Sequence, residues 1–293
     1  MELTWDILYR GPLDSCNYDC RYCPFGKRTN TRAELEHDRA QLERFVAWVR
    51  RQTSRRIGVL FTPWGEALGH RHYQEAMVEL SHLPHVYRVA IQTNLSGPLR
   101  WLERADRTRV ALWATCHPSQ ITVERFLERC RELEALGVRH SVGIVGLREH
   151  LDAMEALRAA LPTATYLWVN AYKDEPRYYD EATVQRIAAV DPLFDLNLRN
   201  HASRGRECFA GETSFAVDGE GQMFRCHFLH TPIGNIYEDD FEAALRPRVC
   251  PRGHCTCHIG YVYLKHLGLR KRFGEGLLER IPEPAALSGS GIA

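Results

Sequence analysis

Cys16-Asn17-Tyr18-Asp19-Cys20-Arg21-Tyr22-Cys23 is the stretch that decides the fold. Three residues separate its first two cysteines and two separate the second pair, so the thiols can converge on one side of a short loop. Such a loop suits a metal centre, and iron and zinc both accept thiolates, so the run alone does not choose between them. The next cysteine, Cys116, lies far along the chain. A centre held here therefore keeps one metal position without a thiolate, and an open position is where a substrate or cofactor binds.

The chain of 293 residues can bury a substantial core, as one large domain or as a large and a small one. Lys and Arg total 38 against 37 Asp and Glu, a formal charge of +1. That balance gives no bulk electrostatic case for nucleic acid or for an anionic membrane surface as partner. Arg50, Arg51, Arg55 and Arg56 sit at the end of a predicted helix, where the expectation is that they complement its dipole and stay solvated. No apolar run reaches the length of a membrane span, and Met1-Glu2-Leu3-Thr4 lacks the plan of a secretory signal, so a cytoplasmic location is expected. In a reducing compartment the ten cysteines are better metal ligands than disulfide partners. Three lie near the start, two are isolated in the middle, and five follow residue 200.

Outward from the cysteine loop, strand and helix patterns alternate. Thr4 to Leu8 reads as a short strand ahead of Gly11-Pro12. Leu42, Phe45, Val46 and Val49 recur at helical spacing, and Ile57 to Phe61 is a buried-strand run. Tyr73, Met77 and Leu80 mark a helix, and Val86 to Ile91 a strand ending at Gln92-Thr93-Asn94. A short helix at Pro98 to Ala105 precedes the strand Val110 to Ala114. Thr122 opens a helix stopped by Gly137, Ser141 to Val145 is a strand, His150 to Leu161 a helix, and Tyr166 to Val169 a sixth strand. Such alternation implies a parallel sheet with ligands at the carboxyl ends of its strands. Cys130, on the apolar face of its helix with Phe126, Leu127 and Leu133, reads as a core residue.

Cys-x3-Cys-x2-Cys with Tyr22 before the last cysteine resembles the signature of the radical S-adenosylmethionine (SAM) superfamily. The resemblance implies a partial (β/α)6 TIM-like barrel over residues 1–190. It also implies a [4Fe-4S] cluster on Cys16, Cys20 and Cys23, with SAM chelating the fourth iron. In that family a reduced cluster cleaves SAM to a 5′-deoxyadenosyl radical that abstracts hydrogen from a substrate, and the electron donor is a protein such as flavodoxin or ferredoxin. Trp64-Gly65-Glu66-Ala67 resembles the family segment that binds the SAM amino group; Gly65 and Glu66 match, and Trp64 and Ala67 depart. A carboxylate there makes a charge-assisted hydrogen bond. Gln92, Thr93 and Asn94 resemble positions reaching the SAM carboxylate or ribose, and Thr115, Cys116 and His117 offer one ribose contact, with Thr115 taken first. Ile144-x-Gly146-x-x-Glu149 resembles the segment beside adenine, with Val142 where the family has a glycine.

After Asp191-Pro192 the alternation stops and short cysteine-bearing elements follow. Phe215 to Val217, a turn at Asp218-Gly219-Glu220-Gly221, and Met223 to Cys226 read as a β-hairpin that returns Cys226 toward Cys208. Cys-x12-Gly-x4-Cys resembles the SPASM/Twitch extension of radical SAM enzymes, which implies an auxiliary [4Fe-4S] cluster in a small α+β domain over 191–281. Five cysteines compete for four positions. The expected set is Cys208, Cys226, Cys255 and Cys257, with Cys250 as competitor and zinc as the alternative metal. Residues 282–293 read as a loose tail. Peptide or protein modification is the first substrate expectation. The chain begins almost at the first strand, which argues against a preceding leader-binding domain and keeps small-molecule chemistry as the rival; a non-catalytic zinc scaffold is the reading from another class.

Overall fold

The computed structural model describes residues 4–286. Its first part runs β1 (Thr4–Arg10), α1 (Arg32–Arg51), β2 (Arg56–Phe61), α2 (Arg71–Ser81), β3 (Val86–Thr93), β4 (Val110–Cys116), α3 (Val123–Ala135), β5 (Arg139–Val145), α4 (Leu151–Ala160) and β6 (Leu167–Asn170). Each of the six strands pairs in parallel with the next, as the expected partial barrel requires. The helix expected at Pro98–Ala105 is a 3₁₀ turn over Arg100–Arg104.

Side-chain alternation along the strands separates two apolar layers. Ile7, Val59, Ile91 and Leu112 face the helices, joined there by Leu42, Phe45 and Val49 of α1 and by Phe126 and Cys130 of α3. Leu8, Leu60, Ala90, Ala111 and Trp113 face the barrel lumen. Both faces are buried, so the strands read as near-continuous apolar runs. Each large side chain fully buried this way contributes about 1.5–3 kcal/mol relative to exposure. Helix starts are fixed locally: Thr31 and Glu34 form a reciprocal capping box at α1, and Thr122 accepts from the Arg125 amide at α3.

Beyond β6 come α5 (Glu181–Val190), α6 (Phe194–Leu198), β7 (His201–Ala202), β8 (Glu207–Cys208), β9 (Ser214–Asp218), β10 (Gln222–Phe224), β11 (Pro232–Asn235), β12 (Arg248–Val249), β13 (His254–Cys255), α7 (His258–Tyr261) and α8 (Leu269–Phe273). The expected hairpin is β9–β10. Its first strand also pairs in parallel with β1, matching Asp6 to Ser214 and Arg10 to Asp218. The sheet thus has nine strands in the order β11-β10-β9-β1-β2-β3-β4-β5-β6, and the carboxyl-terminal region shares it with the barrel.

One sequence expectation changes here. Arg50, Arg55 and Arg56 are not simply solvated; they pair with Glu79, Glu242 and Glu275. Two of those partners come from the carboxyl-terminal region folded over the sheet, which no local reading of the helix end reveals. The residues just before the expected tail are anchored. Leu277 and Leu278 pack into the lumen layer, and Glu279 is fully buried against Arg88 and Arg139 at 3.2 and 3.0 Å. Past residue 282, the Glu283 amide donates to the Arg272 carbonyl and 284–286 form a 3₁₀ turn; the rest of the expected tail lies outside the described residues. Among the described residues no helix is long and apolar enough to cross a membrane.

Candidate active site

The six parallel strands deliver their carboxyl ends to one cavity of about 300 Å³. Arg10, Glu66, Thr93, Thr115, Val145 and Asn170 reach it from β1 to β6 in turn, and Cys16, Cys20 and Cys23 close its mouth. The three thiols are free. Two N–H donors converge on the Cys16 sulfur, the Tyr18 amide at 3.4 Å and Asn94 Nδ2 at 3.9 Å. Donors aimed at sulfur favour a thiolate, the form that binds metal, against the burial that otherwise raises its pKa. Lys27 holds the loop by donating to the Cys20 carbonyl at 2.7 Å and to Asp19 at 3.1 Å. Among the described residues no three His, Cys, Asp or Glu side chains gather as around one ion. A four-iron cube seats each thiolate on a different iron, so a loop of separated thiols bordering a cavity fits that group.

Glu66 is 5% exposed and its two oxygens are oriented by three donors. Oε1 accepts from Thr93 Oγ1 at 2.8 Å and the Leu68 amide at 3.0 Å, and Oε2 accepts from the Asn94 amide at 2.5 Å. Burial dominates those bonds and pushes its pKa up to about 7. A further donor entering the cavity, such as an amino group, adds a charge-assisted bond where water has been removed. Gly65 makes this placement possible: a Cβ there would lie 1.8 Å from the Ser15 carbonyl oxygen. The Glu66 amide donates to that same carbonyl at 3.0 Å, tying the β2 end to the cysteine loop.

Gln92, Thr93, Asn94 and Thr115 all line the cavity. Ile144 does not. Its side chain packs on the helical layer, because alternation on β5 turns Val145, one residue on, to the cavity instead. Gly146 is also off the wall: its carbonyl accepts from the Tyr179 hydroxyl at 2.6 Å and its amide donates to Asn170 at 2.8 Å. Tyr22 stacks on His117 and meets His117 Nδ1 with its hydroxyl at 2.9 Å, so it braces the loop from behind. Cys116 and Cys130 are core residues.

A second, smaller cavity gathers Cys208, Cys226, Cys250 and Cys255. Strand β8 pairs with β12 at Cys208 and Arg248, which brings Cys250 beside Cys208. Arg225, next to Cys226, donates to the carbonyls of Ala210, Arg248 and Val249 and so staples three segments together. Amides two residues on, from Ala210 and Phe228, donate to the Cys208 and Cys226 sulfurs. The five competing cysteines thus divide between two cavities. Cys250 stands with the other three, and Cys257 opens on the large cavity with His258 and Arg280. Cys257 caps α7, so the chain turns between it and Cys255.

The model of the radical SAM superfamily matches residues 12–161, half of the chain, and the chain belongs to that superfamily. Radical SAM enzymes bind a [4Fe-4S] cluster and SAM and cleave SAM reductively, and this chain is an enzyme of that class. Its fold is similar to SuiB from Streptococcus suis, at 13% identity and a TM-score of 0.55 over 84% of this chain and 66% of that one. It is similar too to native anSMEcpe with bound AdoMet and Kp18Cys peptide, at 13% identity and a TM-score of 0.56 over 95% and 98% of the two chains. Native anSMEcpe with bound AdoMet alone matches at 14% identity and a TM-score of 0.55 over 82% of each chain. The chain thus spans just under two thirds of SuiB. No curated protein sequence matches it.

Sequence reasoning missed Arg10, Trp113 and Trp168 on the cavity wall, and with them His258, which the sequence offers only as a possible zinc ligand beside the later cysteines, and Arg280. The tryptophans looked like ordinary strand residues, and the last two lie in a region whose path over the barrel only the fold reveals.

Proposed function

We propose that this enzyme modifies a peptide or protein by radical chemistry, with one auxiliary [4Fe-4S] cluster in the carboxyl-terminal region. The observation that carries the reading is the single cavity onto which three thiols, an oriented carboxylate and the strand-end polar groups all open. Cys16, Cys20 and Cys23 hold the cluster, Glu66 accepts from the SAM amino group, and Gln92, Thr93, Asn94 and Thr115 supply polar contacts to the rest of SAM. Bound there and reduced, the cluster would supply the single electron for reductive cleavage of SAM and so the hydrogen-abstracting chemistry.

A chain-like substrate is favoured by the cavity mouth. Phe25 and Trp64 lie there with ring centroids 5.1 Å apart, 45% and 38% exposed, an apolar rim suited to a segment that enters from outside. The likeness to a peptide-bound anSMEcpe fold points the same way. Cys208, Cys226, Cys250 and Cys255 hold the auxiliary cluster, consistent with their shared cavity and with the SPASM/Twitch-like spacing of the first two. A small reducing protein supplies electrons. The test is anaerobic reconstitution: about eight iron per chain, 5′-deoxyadenosine on reduction with SAM, and a mass change in a peptide from a randomised panel. Zinc in place of iron, with no SAM cleavage, would sink the reading.

A further inference from the structure

Arg280 lies at the inner end of the large cavity and is 3% exposed. Its neighbour Glu279 turns away to Arg88 and Arg139, so the two successive side chains go opposite ways. That reversal comes from a left-handed backbone at Arg280, with φ at 56°, a conformation a non-glycine residue holds only when its surroundings impose it. Among the described residues no carboxylate forms an ion pair with Arg280, and its Nε has no hydrogen-bond partner. Asp191 exerts a coulombic pull on it, yet the Asp191 oxygens already accept from the Tyr166 hydroxyl and the Val169 and Leu193 amides.

A guanidinium taken out of water without a counterion is costly, and here the surroundings support it only in part. Its Cζ lies over the Trp168 ring, 4.4 Å from the centroid, and 5.6 Å from the Trp113 centroid. Gly143 leaves room for that platform, since a Cβ there would lie 2.0 Å from the Trp168 ring. Stacking uses the face of the guanidinium and leaves its N–H edge for a planar oxyanion. Beside it His258, 2% exposed, has an unpartnered Nε2 and opens on the same cavity. Arg10 lines that cavity too, and the positive fields of Arg10, Lys173 and Arg280 all fall on the Cys257 thiol. Glu66, among the described residues the one carboxylate on the wall, is engaged by Thr93, Asn94 and Leu68.

We propose that Arg280, with His258, forms a subsite that binds a carboxylate of the substrate, bidentate on the guanidinium edge, and so orients the substrate toward the cysteine end of the cavity. The substrate class rests on the peptide reading above; the anion subsite itself does not. An acidic side chain and a chain-terminal carboxylate share this chemistry.

The test uses the reconstituted, SAM-bound protein and three capped alanine-based tripeptides: one with a single aspartate, one with only a free terminal carboxylate, and a neutral amide. Acetate, against matched chloride, is the fourth probe. Calorimetry should find one acidic peptide bound about tenfold tighter than the neutral one, which tells the two sources apart. R280Q should abolish that preference and the acetate response, and R280K should keep a weakened form of both. Equal affinity for acidic and neutral peptides together with no acetate binding overturns the subsite. So does an undiminished preference in R280Q. Loss of the SAM-induced change in the cluster spectrum of R280Q would give the cation to the cofactor and also overturn it. Acetate binding that depends on Arg280, with no peptide bound, keeps the subsite and sinks the peptide reading instead.

Discussion

Cys250 and Cys257 make opposite predictions for the second cluster, and a pair of alanine variants separates them. The small cavity holds four sulfurs, those of Cys208, Cys226, Cys250 and Cys255, which matches the four thiolates a cubane requires. Cys257 is turned into the large cavity by the start of α7, where its sulfur faces Arg10, Lys173 and Arg280. Removing one thiolate from a four-ligand site should lose that cluster, so Cys250→Ala should fall from about eight to about four iron per chain. Cys257→Ala should keep about eight if the small cavity holds the cluster. The assay is iron and sulfide analysis after anaerobic reconstitution, with the paramagnetic spectrum of the reduced protein to show which cluster remains. SAM cleavage without substrate should persist in Cys250→Ala, since the first cluster is built by a different loop. Four iron in Cys257→Ala with eight in Cys250→Ala would refute the cavity assignment and restore the set expected from spacing.

Cys20→Ala should abolish 5′-deoxyadenosine formation, and cleavage above the background of a cluster-free control would count against the first loop as the SAM site. In Gly65→Ala the new Cβ collides with the Ser15 carbonyl, so cleavage should drop at least about tenfold while far-ultraviolet circular dichroism stays that of the folded chain; unchanged cleavage would mean the loop shifts freely. Glu66 carries a folded-state pKa of about 7 against an ordinary 4.5. A carboxyl raised this way contributes stability that is whole below its unfolded value and lost as the pH climbs through its folded one, here up to about 3 kcal/mol by pH 8. Denaturation of the metal-free protein between pH 5 and 8 should follow that decline and E66Q should flatten it; parallel curves would remove the charge from the explanation. Glu279→Gln leaves Arg88, 4% exposed, without its counter-charge and should cost about 3–5 kcal/mol in chemical denaturation.

The barrel was legible because parallel strands buried on both faces announce themselves as apolar runs. The polar residues that end those runs, Gln92 to Asn94 and Thr115, fall on the cavity by the same logic. Ile144 escaped that logic through a one-residue parity difference, which a motif match does not weigh. The auxiliary region was legible only as composition. Its strands β7, β8, β12 and β13 are two residues each, too short to carry a period. Which cysteine joins which cavity is decided by antiparallel pairings between distant segments, such as Arg248 with Cys208, and by the turn at Cys257.

The segment after residue 270 ties these observations together. Arg270 reaches Asp6 on β1 at 2.5 Å, Glu279 anchors to Arg88 on β3 and Arg139 on β5, and the Ser141 hydroxyl donates to the Glu279 carbonyl. Those ties fix the height at which Arg280 enters the cavity. A cation presented on a loose loop would be solvated and weak; held by strand-anchored neighbours on an indole platform, it acts at low dielectric on whatever anion arrives. The cysteine loop at one end and this plug at the other thus set the two limits between which SAM and substrate must meet.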